Sequence, residues 1–175
     1  PAVLEVPEAA RHFTWHSWLL YGMVRRLHTV GRVYYIPVRY SELPRYYLEN
    51  LPPIHVAMFQ VTPMDRHGYF NFGPNASHMR ALCQQAEIVI VEVNPSLPRC
   101  CGGPENYLSI DQVDWIVEGD RAEVGQLPAT PAGEVENAVA RLIVEEIPDG
   151  ACLQLGIGGM PNAVGSLIAQ TDLKD

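Results

Sequence analysis

The stretch Glu87-Ile88-Val89-Ile90-Val91-Glu92-Val93 gives the clearest strand signal in the chain. Its β-branched residues form a nearly continuous apolar run, which is typical of a strand in a parallel sheet. A helical pattern from Ser77 to Glu87 precedes it, and a second apolar run, from Ile54 to Val61, lies further upstream and is expected to be buried on both faces. Strands therefore alternate with helices, which predicts an α/β fold with a largely parallel sheet flanked by helices.

The same alternation continues outward in both directions from these runs. The spacing of apolar residues around Trp15 to Leu27 predicts a helix, which Gly31 would end. The other predicted strands are Val33 to Val38, an edge or hairpin strand from Tyr69 to Gly73, a short strand or extended segment from Ile110 to Val117, and Ala151 to Leu155. The other predicted helices are Ser41 to Leu48, with Ser41 as its cap, Gly133 to Ile147, and Pro161 to Gln170.

A change in composition divides the chain. The segment from Gly119 to Pro131 is polar, contains prolines and lacks apolar periodicity, so it is predicted to be a linker. We place the linker at residues 121–132, between a first domain at residues 1–120 and a second at residues 133–175. Pro1 stands where an initiator methionine is usual, and residues 171–175 resemble a loop leading out of a helix, so we expect a fragment of a longer protein.

Composition narrows the functional classes. The formal net charge is -8 and Lys174 is the only lysine, so a basic nucleic-acid-binding surface is not expected. No apolar run approaches the roughly 20 residues of a membrane span, and no signal segment opens the chain. The four cysteines lack metal-ligand spacing and do not form a disulfide framework, so neither a metal site nor an oxidising compartment is predicted. A cytoplasmic location is therefore expected.

The most informative motif is Gly156-Ile157-Gly158-Gly159, which lies between a predicted strand and a predicted helix. Glycines allow positive φ angles and a close approach of the backbone to a ligand. The N-terminus of the following helix presents unpaired N–H groups and a partial positive charge. Together these features predict a site for an anion or a developing oxyanion. The alternative, that the glycines only form a tight turn, is equally compatible with the motif alone.

A dinucleotide-binding motif is disfavoured at the same place. The dinucleotide fingerprint requires a third glycine, and Pro161 occupies that position. The acidic residue expected about 20 positions further on would fall at or beyond the end of the chain.

The end of the apolar run from Ile54 to Val61 is a second candidate region, because open α/β sheets bind ligands at the carboxyl ends of their strands. Four residues there are candidates to line a substrate pocket: Gln60, Pro63, His67 and Asn71. Asp65 and His67 have the chemistry for acid–base catalysis. A role for these two residues in stabilising the loop is the favoured interpretation.

Two further groups are candidate nucleophiles. Glu92 ends a predicted buried strand, where a carboxylate with a perturbed pKa is possible, but a hydrogen-bonded structural role is favoured. Cys100 and Cys101 have no histidine nearby in the sequence, which argues against a catalytic thiol.

Five segments together resemble the acetyl-CoA hydrolase/transferase family, of the 4-hydroxybutyrate CoA-transferase and butyryl-CoA:acetate CoA-transferase type. Each segment is weakly specific, but all five occur in the family's order and extend over nearly the whole chain from about Tyr34. They are Tyr35 to Pro37 with Ser41 to Arg45, Gln60 to Tyr69, Ala86 to Asn94, Ser109 to Asp114 and Leu153 to Val164.

The resemblance implies a fold of two related α/β domains of the NagB/RpiA/CoA-transferase type, with this chain covering most of the first and the truncated start of the second. It implies transfer of CoA between an acyl-CoA and a small carboxylate through a glutamyl-CoA thioester, with coenzyme A as acyl carrier and no metal. The nucleophilic glutamate is expected beyond Asp175, so no catalytic side chain is assigned here and the fragment is expected to be inactive. The parent protein is expected to be a homo-oligomer that binds neither nucleic acid nor membrane.

The resemblance also assigns a role to the glycine motif. Its residues are implied to contact CoA near the thioester, and the backbone N–H of Ile157 to stabilise the oxyanion. The residues implied are Gly156, Ile157, Gly158, Gly159, Met160, Pro161 and Asn162. An acyl-CoA hydrolase and a non-catalytic CoA- or nucleotide-binding module remain as alternatives.

Overall fold

The computed structural model describes residues 5–6, 8–120, 122–125 and 131–174. The chain separates into two compact units, Pro1–Val124 and Gly125–Asp175, which are described separately below. The boundary between the units lies within residues 121–132, the segment assigned above to the linker.

The first unit is built around three parallel strands. The central sheet consists of the third, fifth and seventh strands of the unit, in that order. The strands are β1 (Trp15–Ser17), β2 (Val33–Tyr35), β3 (Ile54–Val61), β4 (Tyr69–Asn71), β5 (Ala86–Val93), β6 (Tyr107–Ser109) and β7 (Trp115–Glu118), and the helices are α1 (Gly22–Thr29), α2 (Leu43–Asn50) and α3 (Met79–Gln85). The predicted α/β class with a parallel sheet is confirmed.

Two smaller strand pairs complete the first unit. β1 pairs in parallel with β2, and β4 pairs antiparallel with β6. The β4–β6 pair places Phe70 opposite Leu108, and both side chains are buried. These residues therefore join the loop after β3 to the main core.

The main core lies between one face of the central sheet, helix α3 and the β4–β6 pair. It contains Val61, Phe70, Phe72, Met79, Cys83, Val89, Val91 and Leu108. Burial raises the pKa of the Cys83 thiol to about 11, so this cysteine is a neutral core side chain at physiological pH.

The other face of the central sheet is exposed within this unit. Met58 is 73% exposed and Trp115 is 65% exposed, although both belong to apolar strands. The prediction that β3 is buried on both faces is therefore wrong for the described residues. Side chains alternate between the two faces of a strand, and an apolar run alone does not reveal whether both faces are covered within one unit.

The N-terminal helix is shorter than predicted. Trp15 to Ser17 form β1, and α1 begins only at Gly22. The prediction that Gly31 ends this helix is confirmed, because Gly31 has a φ of +73°. The N–H of Gly31 donates to the carbonyl of His28 and the N–H of Arg32 to that of Leu27, which is the Schellman arrangement of a helix C-terminus.

Several other element boundaries differ from the predictions. Ser41 lies in a 3₁₀ turn (Tyr40–Glu42) and does not cap a helix; α2 begins at Leu43, with Pro44 in its first turn. The predicted strand at Val33 to Val38 stops at Tyr35. Residues Ile110–Gln112 form another 3₁₀ turn, which a capping box of Ser109 and Gln112 begins, and β7 starts at Trp115.

The second unit contains two helices, α4 (Glu134–Glu145) and α5 (Gly159–Ile168). They pack through the buried residues Ala140, Ala163 and Val164. The predicted strand from Ala151 to Leu155 is absent from the described residues, where this segment is exposed and forms no ladder. A strand requires a neighbouring strand for its backbone hydrogen bonds, which an apolar pattern does not supply. No helix among the described residues is long and apolar enough to cross a membrane.

Candidate functional site

The glycine motif forms the loop that leads into α5. The helix begins at Gly159, two residues earlier than predicted, and Gly158 is its N-cap. Gly158 has φ +140° and ψ 175°, a combination that is essentially restricted to glycine. The loop conformation therefore depends directly on glycine at position 158.

The loop presents backbone donors to solvent. Ile157 is 93% exposed. Among the described residues its N–H forms no backbone hydrogen bond, and the first bond of the helix is donated by the N–H of Asn162 to the carbonyl of Gly158, at 3.1 Å. No side chain caps the helix, and Pro161 has no N–H to satisfy. The loop therefore has the free N–H groups that an anion-binding helix N-terminus needs.

Packing does not explain the other two glycines. A Cβ atom at Gly156 would lie 3.7 Å from Cγ of Pro161, and one at Gly159 would lie 3.9 Å from Cγ of Glu136. Both distances are ordinary van der Waals contacts, and neither glycine has a positive φ. The fold of this unit therefore requires glycine at position 158 but would accept a methyl group at positions 156 and 159.

A cavity of about 720 Å³ lies beside α5 in the same unit. Its walls are mainly small and apolar, and Ile157 is not among them. The lining residues are Pro131, Ala132, Asn137, Leu155, Pro161, Asn162, Ala163, Gly165, Ser166 and Ala169. Its walls carry no charged group among the described residues.

A polar network lies at the carboxyl ends of β3 and β5 in the first unit. Nε2 of Gln60 donates to Oε1 of Glu92 at 3.0 Å, and Nδ2 of Asn94 donates to Oε1 of Gln60 at 3.3 Å. Asn94 is 1% exposed, and its Nδ2 also donates to the carbonyl of Ala122 at 2.9 Å. A Cβ atom at Gly119 would lie 2.6 Å from Oε1 of Glu92. Glu92 is thus a hydrogen-bonded carboxylate in a tightly packed position.

Asn71 holds two parts of the loop region together. Its Oδ1 accepts from the N–H of Gly73 at 2.8 Å and from the N–H of Cys100 at 3.1 Å. Its Nδ2 donates to the carbonyl of Cys100 at 2.9 Å, and the side chain is fully buried. The carboxamide of Asn71 is therefore engaged with backbone groups.

Asp65 organises the turn between β3 and β4. Its Oδ1 accepts from the N–H groups of His67 and Tyr69, at 2.9 and 3.0 Å, and its Oδ2 accepts from Nη2 of Arg99 at 3.1 Å. The N–H of Tyr69, assisted by that of His67 and by Arg99, lowers the pKa of the Asp65 carboxyl. Asp65 is therefore an ionised structural group, which fits the loop-stabilising interpretation.

His67 and Pro63 are both exposed. Nε2 of His67 accepts from Nε of Arg66 at 3.0 Å. Pro63 begins the turn, and its carbonyl accepts from the hydroxyl of Thr62 at 3.2 Å. Gln60 thus joins the Glu92 network, Asn71 anchors a loop and His67 faces a cleft; the structure does not bring the four predicted pocket residues into one site.

The cleft beside His67 was not anticipated from the sequence. We call it the arginine cleft; it has a volume of about 560 Å³. Its lining residues are Asp65, His67, Tyr69, Arg80, Arg99, Pro104, Tyr107, Ser109 and Gln112. The two arginines lie 19 positions apart in the sequence, so no local pattern pairs them. Within the described residues, no group of three or more potential metal ligands is found.

Comparison with known proteins identifies the family of the chain. The model of the acetyl-CoA hydrolase/transferase N-terminal domain matches residues 4–128. The chain belongs to the acetyl-CoA hydrolase/transferase family, which confirms the resemblance inferred from the sequence motifs.

Two similar proteins are CoA-transferases by name, and a third match is a crystal structure. The butyryl-CoA:acetate CoA-transferase of Anaerostipes caccae is 54% identical over 174 residues, which is 99% of this chain and 39% of that protein. The 4-hydroxybutyrate coenzyme A transferase of Clostridium kluyveri is 34% identical, over 88% of this chain and 35% of its own length. The crystal structure of RipA from Yersinia pestis superposes with a TM-score of 0.79 at 31% identity, over 95% of this chain and 40% of that one. The chain spans about two-fifths of the length of these relatives.

Proposed function

We propose that the protein to which this chain belongs is a CoA-transferase that moves CoA between a short-chain acyl-CoA and a free carboxylate. Acetate, butyrate and 4-hydroxybutyrate are the proposed carboxylates. The observation that carries the proposal is the 54% identity to a butyryl-CoA:acetate CoA-transferase over 174 residues. Because the chain spans two-fifths of that relative, the activity is assigned to the whole protein and not to these residues alone.

The proposed reaction is a ping-pong exchange with a covalent intermediate. A glutamate outside residues 1–175 attacks the acyl-CoA thioester and releases CoA thiolate, which leaves an acyl-glutamyl anhydride. The thiolate then attacks the glutamyl carbonyl, which forms a glutamyl-CoA thioester and releases the first carboxylate. The second carboxylate reverses these steps and leaves as its own acyl-CoA. Each step is an acyl substitution whose nucleophile and leaving group are supplied by glutamate, CoA or the carboxylates, so the scheme invokes no metal.

The glycine loop is proposed to stabilise the negative charge that develops on the carbonyl oxygen. The N–H of Ile157 is the proposed donor, because this residue is exposed and its N–H has no backbone partner among the described residues. A preorganised backbone donor of this kind stabilises a tetrahedral oxyanion more strongly than it stabilises a carbonyl. Residues Gly156 to Asn162 would then contact CoA near its thioester.

The glycines at positions 156 and 159 support this assignment. Neither is required by φ or by packing within the unit, so a tight turn alone does not account for them. A ligand that lies directly against the backbone does account for them, because a side chain at either position would occupy the ligand's space.

The other predicted pocket residues enter the proposal with smaller roles. His67 presents an exposed ring, whereas Gln60 and Asn71 are engaged in hydrogen bonds that shape the ends of β3 and β4. We propose that these residues, with Pro63, shape the first unit's contribution to substrate binding. A homo-oligomer in the cytoplasm is the expected state of the whole protein.

Borohydride trapping tests the proposed intermediate. The whole protein is incubated with butyryl-CoA alone, treated with borohydride and digested for mass spectrometry. The expected result is loss of activity and a mass change on one glutamate outside residues 1–175, because borohydride reduces a thioester. A mass change on Glu92 would contradict the assigned nucleophile. A parallel assay contains butyryl-CoA and acetate. Release of free CoA without acyl transfer to acetate would there favour an acyl-CoA hydrolase, and absence of both activities would favour a CoA-binding module.

A further inference from the structure

The arginine cleft has the size of a ligand site but no part in the chemistry proposed above for the glycine loop. Its volume of about 560 Å³ falls within the roughly 300–1,000 Å³ that is typical of small-molecule sites. The cleft belongs to the first unit, whereas the glycine loop belongs to the second. The chemistry proposed for the glycine loop does not account for a ligand of the cleft.

The lining of the cleft is less acidic than the chain as a whole. Arg66, Arg80 and Arg99 lie in or beside it, and the acidic groups paired with them are Asp65 and Glu105. The lining arginines and Asp65 sum to a formal charge of +1, in a chain whose formal charge is -8. The charged groups just outside the lining, Arg66, Glu105 and Asp111, add a formal charge of -1. A positive region in an acidic protein attracts anions locally.

Both cleft arginines are held in place by contacts that use only some of their guanidinium N–H donors. Nη1 of Arg80 donates to the carbonyl of Pro104 at 3.0 Å and to that of Tyr107 at 3.5 Å, while its Nη2 has no partner among the described residues. The guanidinium of Arg99 lies over the ring of Tyr107, 5.2 Å from the centroid, and Asp65 binds its Nη2 at 3.1 Å. Tyr107 thus positions both guanidiniums, one through its carbonyl and one through its ring. Fixed guanidiniums are well suited to phosphate oxygens.

The rest of the cleft fits a larger organic group. Tyr69 and Pro104 give it apolar walls. Gln112 also lines the cleft; its Oε1 accepts weakly from the N–H of Ser109 at 3.4 Å, and its amide nitrogen has no partner among the described residues. A simple carboxylate is satisfied by one guanidinium, and a free phosphate would leave the apolar walls bare.

We propose that the arginine cleft binds a nucleoside phosphate, with Arg80 and Arg99 on the phosphate groups and the base or sugar against Tyr69 and Pro104. The binding is non-covalent and is separate from the proposed transfer of CoA. Because phosphate binding by arginine is electrostatic, it weakens as ionic strength rises.

Calorimetric titration of the whole protein with ADP tests this proposal. We expect saturable binding, weakened about 10-fold or more by either Arg80→Gln or Arg99→Gln, since each removes charge-assisted hydrogen bonds. Arg99→Lys keeps the charge but loses the planar fork, so its effect is expected to be intermediate. The matched control is Arg141→Gln on α4, an exposed arginine of the other unit, which should bind ADP as the unaltered protein does. The thermal unfolding midpoint of each variant shows whether it is folded.

Several results would overturn the proposal. One is the absence of ADP binding by the folded protein. Another is ADP binding by the folded Arg80→Gln and Arg99→Gln variants that is as tight as binding by the unaltered protein. A third is binding of adenosine as tightly as ADP. Inorganic pyrophosphate binding as tightly as ADP would also overturn it, because the apolar walls would then have no role. Acyl transfer from butyryl-CoA to acetate is measured separately, so failure of the ADP titration and failure of the proposed transferase activity are distinguishable.

Discussion

The two units hold their loops in different ways. In the first unit, buried or ionised side chains bind the loop backbone: Asn71 fixes the residues around Cys100, and Asp65 fixes the turn before Tyr69. In the second unit, the glycine loop has no side-chain cap and depends on the unusual backbone angles of Gly158. Side-chain anchoring satisfies the N–H groups of a loop, whereas backbone anchoring leaves them available. This difference supports the proposal that the oxyanion is stabilised by the second unit.

Removal of the Asn71 side chain should give the largest loss of stability. Asn71→Ala deletes three hydrogen bonds in a fully buried position and leaves the N–H and carbonyl of Cys100 without that partner. Buried polar groups that lose their partners cost about 1–3 kcal/mol each, so we expect a loss of roughly 3 kcal/mol or more in the free energy of unfolding.

Urea unfolding of the whole protein measures this effect. Asn75→Ala is the matched control, because Asn75 is exposed in the same region, and its effect should stay within about 0.5 kcal/mol. Equal effects of the two substitutions would show that side-chain anchoring does not hold the first unit's loop.

Two substitutions in the glycine loop should affect stability and activity differently. Gly158→Ala forces a side chain into φ +140° and should cost roughly 1–3 kcal/mol in stability as well as activity. Gly156→Ala meets only a 3.7 Å contact, so its stability should change by about 0.5 kcal/mol or less. Acyl transfer should nevertheless fall about 10-fold or more, since a methyl group would lie beside the proposed oxyanion donor.

Unfolding midpoints and kcat/KM of the two variants decide this point. A Gly156→Ala protein with full activity would remove the argument that a ligand, and not the turn, requires glycine at position 156. A Gly158→Ala protein with unchanged stability would show that backbone anchoring at that residue is unimportant.

Mild acid should destabilise the first unit more than the second, by less than the substitutions above do. His78 stacks on Tyr47 with ring centroids 4.6 Å apart and meets Trp18 edge-on at 5.4 Å. Burial lowers the pKa of His78. The folded state therefore binds a proton at His78 more weakly than the unfolded state does. The contribution of neutral His78 to the free energy of unfolding is complete above the unfolded pKa of about 6.5 and is lost as the pH falls below it. The second unit contains no histidine from Gly125 to Asp175.

Amide hydrogen exchange between pH 7.5 and 5.5, corrected for intrinsic rates, tests this expectation. Protection should decrease around α2, which contains Tyr47, and around α3, whose N-cap is His78, and should change less in α4 and α5. His78→Phe keeps an aromatic ring but does not titrate, so it should reduce the loss of protection in the first unit. The same loss in His78→Phe as in the unaltered protein would assign the pH effect to other groups.

The strands of the central sheet were the most predictable part of the molecule. The predicted limits of β3 coincide with the observed ones, and β5 begins one residue earlier than predicted, at Ala86. A long apolar run of β-branched residues carries this information locally. The strand predicted at Ala151 to Leu155 shows the limit of that reasoning, because its formation depends on a partner strand elsewhere in the chain.

The candidate sites were predictable to different degrees. The glycine loop was found because its residues are consecutive and their spacing has a local physical meaning. The arginine cleft was missed because Arg80 and Arg99 meet only through the fold, by way of Tyr107. β1 was missed because the spacing of Trp15, Trp18 and Leu19 also fits a helix.

Initial-rate kinetics of acyl transfer give the most direct test of the central claim, that the whole protein transfers CoA through a covalent enzyme intermediate. The rate of acetyl-CoA formation from butyryl-CoA is measured at several fixed concentrations of acetate. The account predicts parallel double-reciprocal lines, because butyrate leaves before acetate reacts in a ping-pong exchange. Intersecting lines, or release of free CoA without formation of acetyl-CoA, would contradict it.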